Sequence, residues 1–411
     1  MTQIKPFKAI RPSRDKAYLV ATRPYYTYKK HVLTAKLESN PYTYLHVINP
    51  EFHADDRTEP NTVERYQKSR DKLEEFITAG IFIKDETDSL YLYRQTKNGH
   101  AFLGLIGGAS VEQYNSGHIK KHEATITSRE KHFSDYLSVV ECNAEPVLLF
   151  HEENKELNNL LNKLSQERPE YEFSSTQQIK HEVWLVNSPA DLKQIQEIYA
   201  GIENVYIADG HHRCASSARY SEKIGGESSE IRNHFLAYFI SETNMDILDY
   251  NRLIHDLNGL TEAEFIHALK ETFTLTEVTD PVSFKRTQKK ILLYLDHHWY
   301  SIHIEEDQIN EDDVVNSLDT AILTNMILNP ILGVKDLKTD NRVSFINGAK
   351  GLAGIENEVD LGKAICGFAL APVSVDQLKA VADKNEIMPP KSTWIEPKLR
   401  SGLTMYPLNN D

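Results

Sequence analysis

One acid, two imidazoles and a guanidinium follow a short apolar run in VYIADGHHRCASSARYSEK, Val205 to Lys223. The run VYIA favours a strand. Gly210 permits a sharp turn or a close backbone approach, and CASSARYSEK has the small residues and periodicity of a helix. A strand–turn–helix junction leaves free backbone N–H groups at the helix mouth, a place where phosphate binds. Arg213 adds a forked cation there, and His211 and His212 add donors. Asp209 ends the strand, placed to orient a histidine, hold a divalent cation or accept a hydroxyl proton. The plainer reading makes Asp209 a helix cap and Arg213 its surface ion-pair partner. Four such polar residues together after a buried strand favour a site. Zinc fits less well, because adjacent histidines do not easily share one ion and no HExxH run occurs.

A second segment, SGHIKKHEATITSRE, gathers Lys120, Lys121, His122, Glu123, Thr125 and Arg129. A phosphate site wants such cations, and Glu123 among them stays ionised and suits a general base. A solvated charged loop explains the run equally well. In a third, PPKSTWIEPKLRSG, the cations Lys391, Lys398 and Arg400 surround Ser392, Thr393 and Ser401. It reads as a substrate-clamping loop or as an arm docked on the surface. A fourth, KTDNRVSFINGAKG from Lys338 to Gly351, reads as an Asn-Gly hairpin. No GxxxxGK[ST] loop, no GxGxxG with its acid and no GxSxG elbow occurs.

The elements that must position these residues alternate. Val63 to Gly80 has the spacing of an amphipathic helix with a glycine stop. SLYLYRQTKNGHAFLGLIGGASV predicts two strands turning at Asn98-Gly99. EPVLLFH, HEVWLVN, NVYIAD, NHFLAYFI and MDILDYNRLIH are strand candidates, separated by helix candidates at NKELNNLLNKLSQE and PADLKQIQEIYAG. Thr261 and Glu264 have capping-box spacing at the start of another helix. The pattern predicts an α/β or α+β fold with mixed sheets. Expected divisions are an N-terminal α/β domain over 1–130, a core carrying Asp-Gly-His-His-Arg over 131–260, and a C-terminal α/β part over 261–411 whose last segment returns to the site.

Composition narrows the class. The 411 residues are 40% hydrophobic and 26% charged, with a formal net charge of −14. That is ordinary for a globular chain, exceeds one simple core, and argues against nucleic acid held by a basic surface. The three dispersed cysteines imply no disulfide framework, and no apolar run is long enough for a membrane span. A cytoplasmic monomer or homodimer is expected.

Two resemblances sharpen this. YIADGHHR resembles the signature of the ParB/sulfiredoxin-like superfamily, whose members bind nucleotide phosphates at such a turn and include free serine kinases. Over nearly the whole chain, KPFKAIRP, YLHVINPE, SGHIKKHE, IADGHHR, YNRLIHDLNGL, KTDNRVSFINGAKG and MPPKSTWIEPKLRSGL are similar, in order, to a bacterial family catalogued as a domain of unknown function. That resemblance implies a ParB/sulfiredoxin-like phosphate-binding core and a pyrophosphate-dependent L-serine kinase. Pyrophosphate and L-serine would give phosphate and O-phospho-L-serine, in either direction, with Mg2+. Cys214 and Ala215 stand where the family commonly has Tyr-Glu, and Arg23-Pro24-Tyr25-Tyr26 where it commonly has Pro-Pro-Tyr-Asp. The mechanism that fits gives pyrophosphate to Gly210, His211, His212, Arg213, Lys121, His122 and Arg129. Glu123 is the first choice of base; Asp209 is the second, and the metal ligand. Lys391, Ser392, Thr393, Lys398 and Arg400 then bind the serine carboxylate or the acceptor phosphate. The rivals are an ATP-, ADP- or CTP-dependent kinase or nucleotide hydrolase of the same superfamily, and a noncatalytic phospholigand- or DNA-binding protein.

Overall fold

A type I′ hairpin needs positive φ at both central residues, which Asn-Gly supplies at low steric cost. In the computed structural model, which describes residues 1–225 and 230–409, Asn98 and Gly99 have φ of 50° and 81°. They join β1 (Leu90–Lys97) to β2 (His100–Ser110). Further strands are β3 (Ile119–Lys120), β4 (Val147–His151), β5 (Tyr171–Ser174), β6 (Lys180–Val186), β7 (Val205–Asp209) and β8 (His234–Ser241). With β1 and β2 they make one sheet in the order β3-β7-β4-β8-β2-β1-β6-β5. It is mixed: β3–β7 and β4–β8 run parallel, the other neighbours antiparallel.

Local chemistry starts several of the helices. The side chains of Thr62, Asn154 and Ser188 accept backbone N–H groups and cap α1 (Val63–Thr78), α3 (Lys155–Leu164) and α4 (Pro189–Ala200). Neither α2 (Thr127–Val140) nor α5 (His211–Lys223) has a side-chain cap. Leu157 and Leu161 of α3, Ile195 and Tyr199 of α4 and Cys214 of α5 pack on Leu149, Ile207, Phe235 and Phe239 of the sheet. Each such side chain, fully removed from water, contributes roughly 1.5–3 kcal/mol.

The chain divides into two units: residues 1–245 with 397–411, and residues 246–396. The fold is mixed α+β, as the alternation of elements predicts, and it has two units where three divisions were expected. The expected breaks do not coincide with this division. Residue 130 falls between strands of one sheet, and residue 260 falls inside the second unit. No Gly/Ser linker marks the true boundary. It is set by a non-local pairing inside the second unit, Asp246–Leu248 against Trp394–Glu396.

The second unit has its own sheet. Its strands are β9 (Tyr250–Ile254), β10 (Thr274–Glu277), β11 (Lys290–Leu295), β12 (His298–His303), β13 (Val343–Asn347) and β14 (Cys366–Ala369), in the order β10-β12-β11-β14-β9-β13. Its helix α6 (Glu262–Thr272) opens with the full capping box of Thr261 and Glu264. The expected Asn347-Gly348 hairpin does not form. β13 pairs with β9 and leads into a short 3-10 turn and α7 (Gly351–Asp360). Gly348 is needed there for contact instead: a Cβ would lie 2.2 Å from Asp249 Oδ1. Among the described residues no helix is long and apolar enough to cross a membrane.

Candidate active site

β7 ends at Asp209, and α5 begins one residue later. Gly210 between them has a φ of 107°, a left-handed conformation. A Cβ on it would come within 3.0 Å of the Arg213 guanidinium. Glycine therefore lets Arg213 fold back over the turn. Asp209 does not cap α5; its Oδ2 accepts from Arg213 Nη2 at 2.8 Å. The plain N-cap reading fails on this geometry, and the helix mouth carries no side-chain acceptor.

Arg213 is braced on every side. Nη1 lies 2.8 Å from Glu145 Oε1 and donates to the Pro146 carbonyl at 2.5 Å. Burial works against its charge, but Glu145 and Asp209 outweigh burial and raise its pKa. Lys398 Nζ stands 3.6 Å from Asp209 Oδ1. Burial would push the Asp209 carboxyl up; Lys398 and then Arg213 overcome it, and the carboxyl lies below its usual range. Asp209 is thus a strong anion held by two cations, which is a poor starting state for a base.

The second segment comes to the same helix mouth. The backbone N–H of His122 donates to His211 Nε2 at 3.3 Å, and the two rings meet edge to face at 4.5 Å. Glu123 Oε2 is 3.4 Å from His211 Nδ1. Its side chain is 45% exposed, and it makes no ion pair with a lysine or arginine among the described residues. Lys121 and Arg129 are exposed. Lys121 lies over the Tyr114 ring and its charge reaches His211, while Arg129's charge reaches His212. Burial drives His122 and His211 down to about 3 and lowers His212 as well. All three are therefore neutral near pH 7 and offer hydrogen bonds, not charge.

The third segment is divided by the unit boundary. Lys398 and Arg400 belong to the first unit, Lys391, Ser392 and Thr393 to the second. Gln95 donates to the Lys398 carbonyl at 3.3 Å. Arg400 Nε donates to His181 Nε2 at 3.3 Å, and the other His181 nitrogen meets Tyr93 Oη at 2.9 Å. Ser401 Oγ reaches Glu145 Oε2 at 3.1 Å. In the second unit, Ser392 Oγ contacts Thr320 Oγ1 at 3.1 Å and donates to the Pro389 carbonyl at 2.8 Å. Sequence reasoning passed over Glu145, Gln95 and His181. Each lies in or beside a strand, and its partner is brought to it from a distant part of the chain, so no local spacing marks it.

A divalent ion can be tested against these residues. Mg2+ takes oxygen ligands in near-octahedral geometry. Both Asp209 oxygens already face cations. Among the described residues, His122, Glu123 and His211 bring ligand atoms within 4.8 Å of one another. That set is two imidazoles and one carboxylate, and both His211 nitrogens are engaged by His122 and Glu123. The residues present do not fit a protein-held Mg2+ ion.

Comparison with known proteins adds a family and some distant likenesses. The sequence profile of the family described as "Protein of unknown function (DUF1015)" matches residues 4–321. None of the curated proteins matches the chain. Among solved structures, a free serine kinase in complex with AMP is 14% identical, with a TM-score of 0.35 over 72% of this chain and 88% of that one. SbnI with a C-terminal truncation, from Staphylococcus aureus, is 12% identical, with a TM-score of 0.40 over 74% and 90%. A conserved hypothetical protein from Pyrococcus furiosus is 11% identical, with a TM-score of 0.35 over 74% and 95%.

Proposed function

The chain belongs to the DUF1015 family, and from that premise and the geometry above we propose that it is a phosphotransferase acting between pyrophosphate and the hydroxyl of L-serine. The observation that carries the reading is the uncapped start of α5 on a left-handed glycine, with Arg213 locked beside it. Phosphoryl transfer asks mainly for positioning and charge neutralisation. The N–H groups of His211, His212 and Arg213 take one phosphate group. Lys121 and Arg129 take the other, the neutral imidazoles of His122 and His212 add hydrogen bonds, and His211 orients Glu123. Lys398 and Arg400 supply further positive charge toward the substrate. The ParB/sulfiredoxin-like assignment of this turn is part of the same reading.

Glu123 is the base, because Asp209 is held as an anion by two cations while Glu123 is accessible. Its carboxylate accepts the serine hydroxyl proton. The serine oxygen forms a bond to one phosphorus, the bridging P–O bond breaks, and inorganic phosphate leaves with that electron pair. Run backward, the same steps return serine from phosphoserine. Magnesium, where the reaction uses it, travels with the pyrophosphate, since the described residues offer it no fitting ligand set. The test offers L-serine and Mg2+ with pyrophosphate, ATP, ADP or CTP in turn and follows phosphoserine by phosphorus NMR. Product with pyrophosphate alone is expected. Product only with a nucleotide replaces the donor, and no product with any donor removes the reading.

A further inference from the structure

The second unit buries an arginine without an acid. Arg252, on β9, is 0% exposed. Its Nη1 donates to the backbone carbonyls of Tyr250 and Lys391, the latter at 3.1 Å. Its Nε and Nη2 have no hydrogen-bond partner. Among the described residues it forms no ion pair, whereas the nearby Arg286 meets Asp249 at 2.9 Å. An uncompensated buried charge is costly, and a guanidinium's Nε–H and Nη2–H form the edge that grips two oxygens of a carboxylate or phosphate at once.

The surroundings suit an anion. Phe345 and Phe368 are the direct cross-strand neighbours of Arg252, and its guanidinium lies 5.2 Å from the Phe345 ring. Tyr250, two residues away on the same strand face, stacks edge-on against Trp394 at 5.7 Å. Lys391 Nζ lies 5.4 Å from the Tyr250 ring, so a second cation shares this frame. Lys391 has a φ of 59°, left-handed for a non-glycine residue, and that turn aims its carbonyl at Arg252. Three of these residues, Tyr250, Lys391 and Trp394, lie in segments that the phosphoryl-transfer reading leaves unused.

We propose that Arg252 is the floor of an oxyanion site in the second unit, taking two oxygens of a phosphate or carboxylate group on Nε and Nη2. Lys391 closes over the bound anion, and the turn from Pro389 to Thr393 opens to admit it. This goes beyond the proposed reaction and does not depend on it, because it is read by binding and not by turnover. The full chain is titrated with inorganic phosphate, and separately with acetate, by calorimetry in an anion-poor buffer. Arg252→Gln is expected to remove one binding event, whether or not another occurs at α5. As a check that needs no variant, hydrogen exchange of the 387–394 backbone in the wild type is expected to slow at least threefold with the anion that binds. Protection by phosphate alone names a phosphate-bearing ligand, and protection by acetate as well names a carboxylate-tolerant site. Unchanged exchange with both anions overturns the proposal, as does an Arg252→Gln protein that keeps every binding event.

Discussion

Arg213, half-buried on α5, and Arg252, fully buried on β9, are held in opposite ways. Arg213 is clasped by Glu145 and Asp209, and Asp209 in turn by Lys398. Arg252 has carbonyls on one nitrogen and nothing on the other two. Burial lowers Arg252 to about 9, opposed only by Tyr250, so it is still charged near pH 7. Two carboxyls repeat the contrast. Asp209 is pulled down by its cations, while burial pushes Asp319 up to about 6 against only backbone donors and the Lys289 charge. Partnered charges fix a geometry. Unpartnered ones are reserves that a ligand or a proton can complete.

The largest effect should come from breaking the clasped arginine. Arg213→Gln is expected to lower turnover about a thousandfold. It should also cost about 2 kcal/mol of stability, because two partly buried carboxylates lose their cation; urea melts and phosphorus NMR read the two effects. Glu123→Gln comes next, with turnover down about a hundredfold or more and pyrophosphate binding nearly intact. A variant that turns over normally removes Glu123 as base.

Asp319 makes a pH prediction. Its folded pKa of about 6 exceeds the 3.8 of a free aspartate, so the native state binds the proton more tightly. Stability from this group is fully present below pH 4 and is lost as pH rises through 6, by about 3 kcal/mol. Asp319→Asn should flatten that slope between pH 4 and 7, and an unchanged slope would show that the carboxyl is ionised throughout. The smallest effect belongs to Arg252→Met in anion-free buffer. Removing an unpaired charge should leave the melting free energy within about 1 kcal/mol of wild type. A loss as large as that of Arg213→Gln would mean that Arg252 is a structural strut.

What could be read from sequence divides by range. Asn98-Gly99, Thr261 with Glu264 and the strand–turn–helix around Gly210 were legible because their chemistry acts within four residues. Asn347-Gly348 looked the same and was not a hairpin, since its glycine answers a contact with Asp249 and not a turn. Both polar runs stood out in the sequence, but neither the approach of Glu123 to His211 nor the neutrality of the histidines did, because packing and burial decide them. Glu145 as partner of Arg213, and Arg252 as a cation without one, depend on long-range packing that leaves no spacing signal. The unit boundary was hidden for the same reason.

Residues 397–408 complete the first unit after the second has been spelled out. Met405 pairs with Ile10, Ser401 with Thr22, and Lys398 reaches Asp209. The order of synthesis therefore runs against the order of assembly. Residues 246–396 are all joined to the chain before the first unit receives the strand ends that tie its opening segment in place. A chain that ends at residue 396 carries every residue of the second unit and a phosphate cradle that has lost a wall.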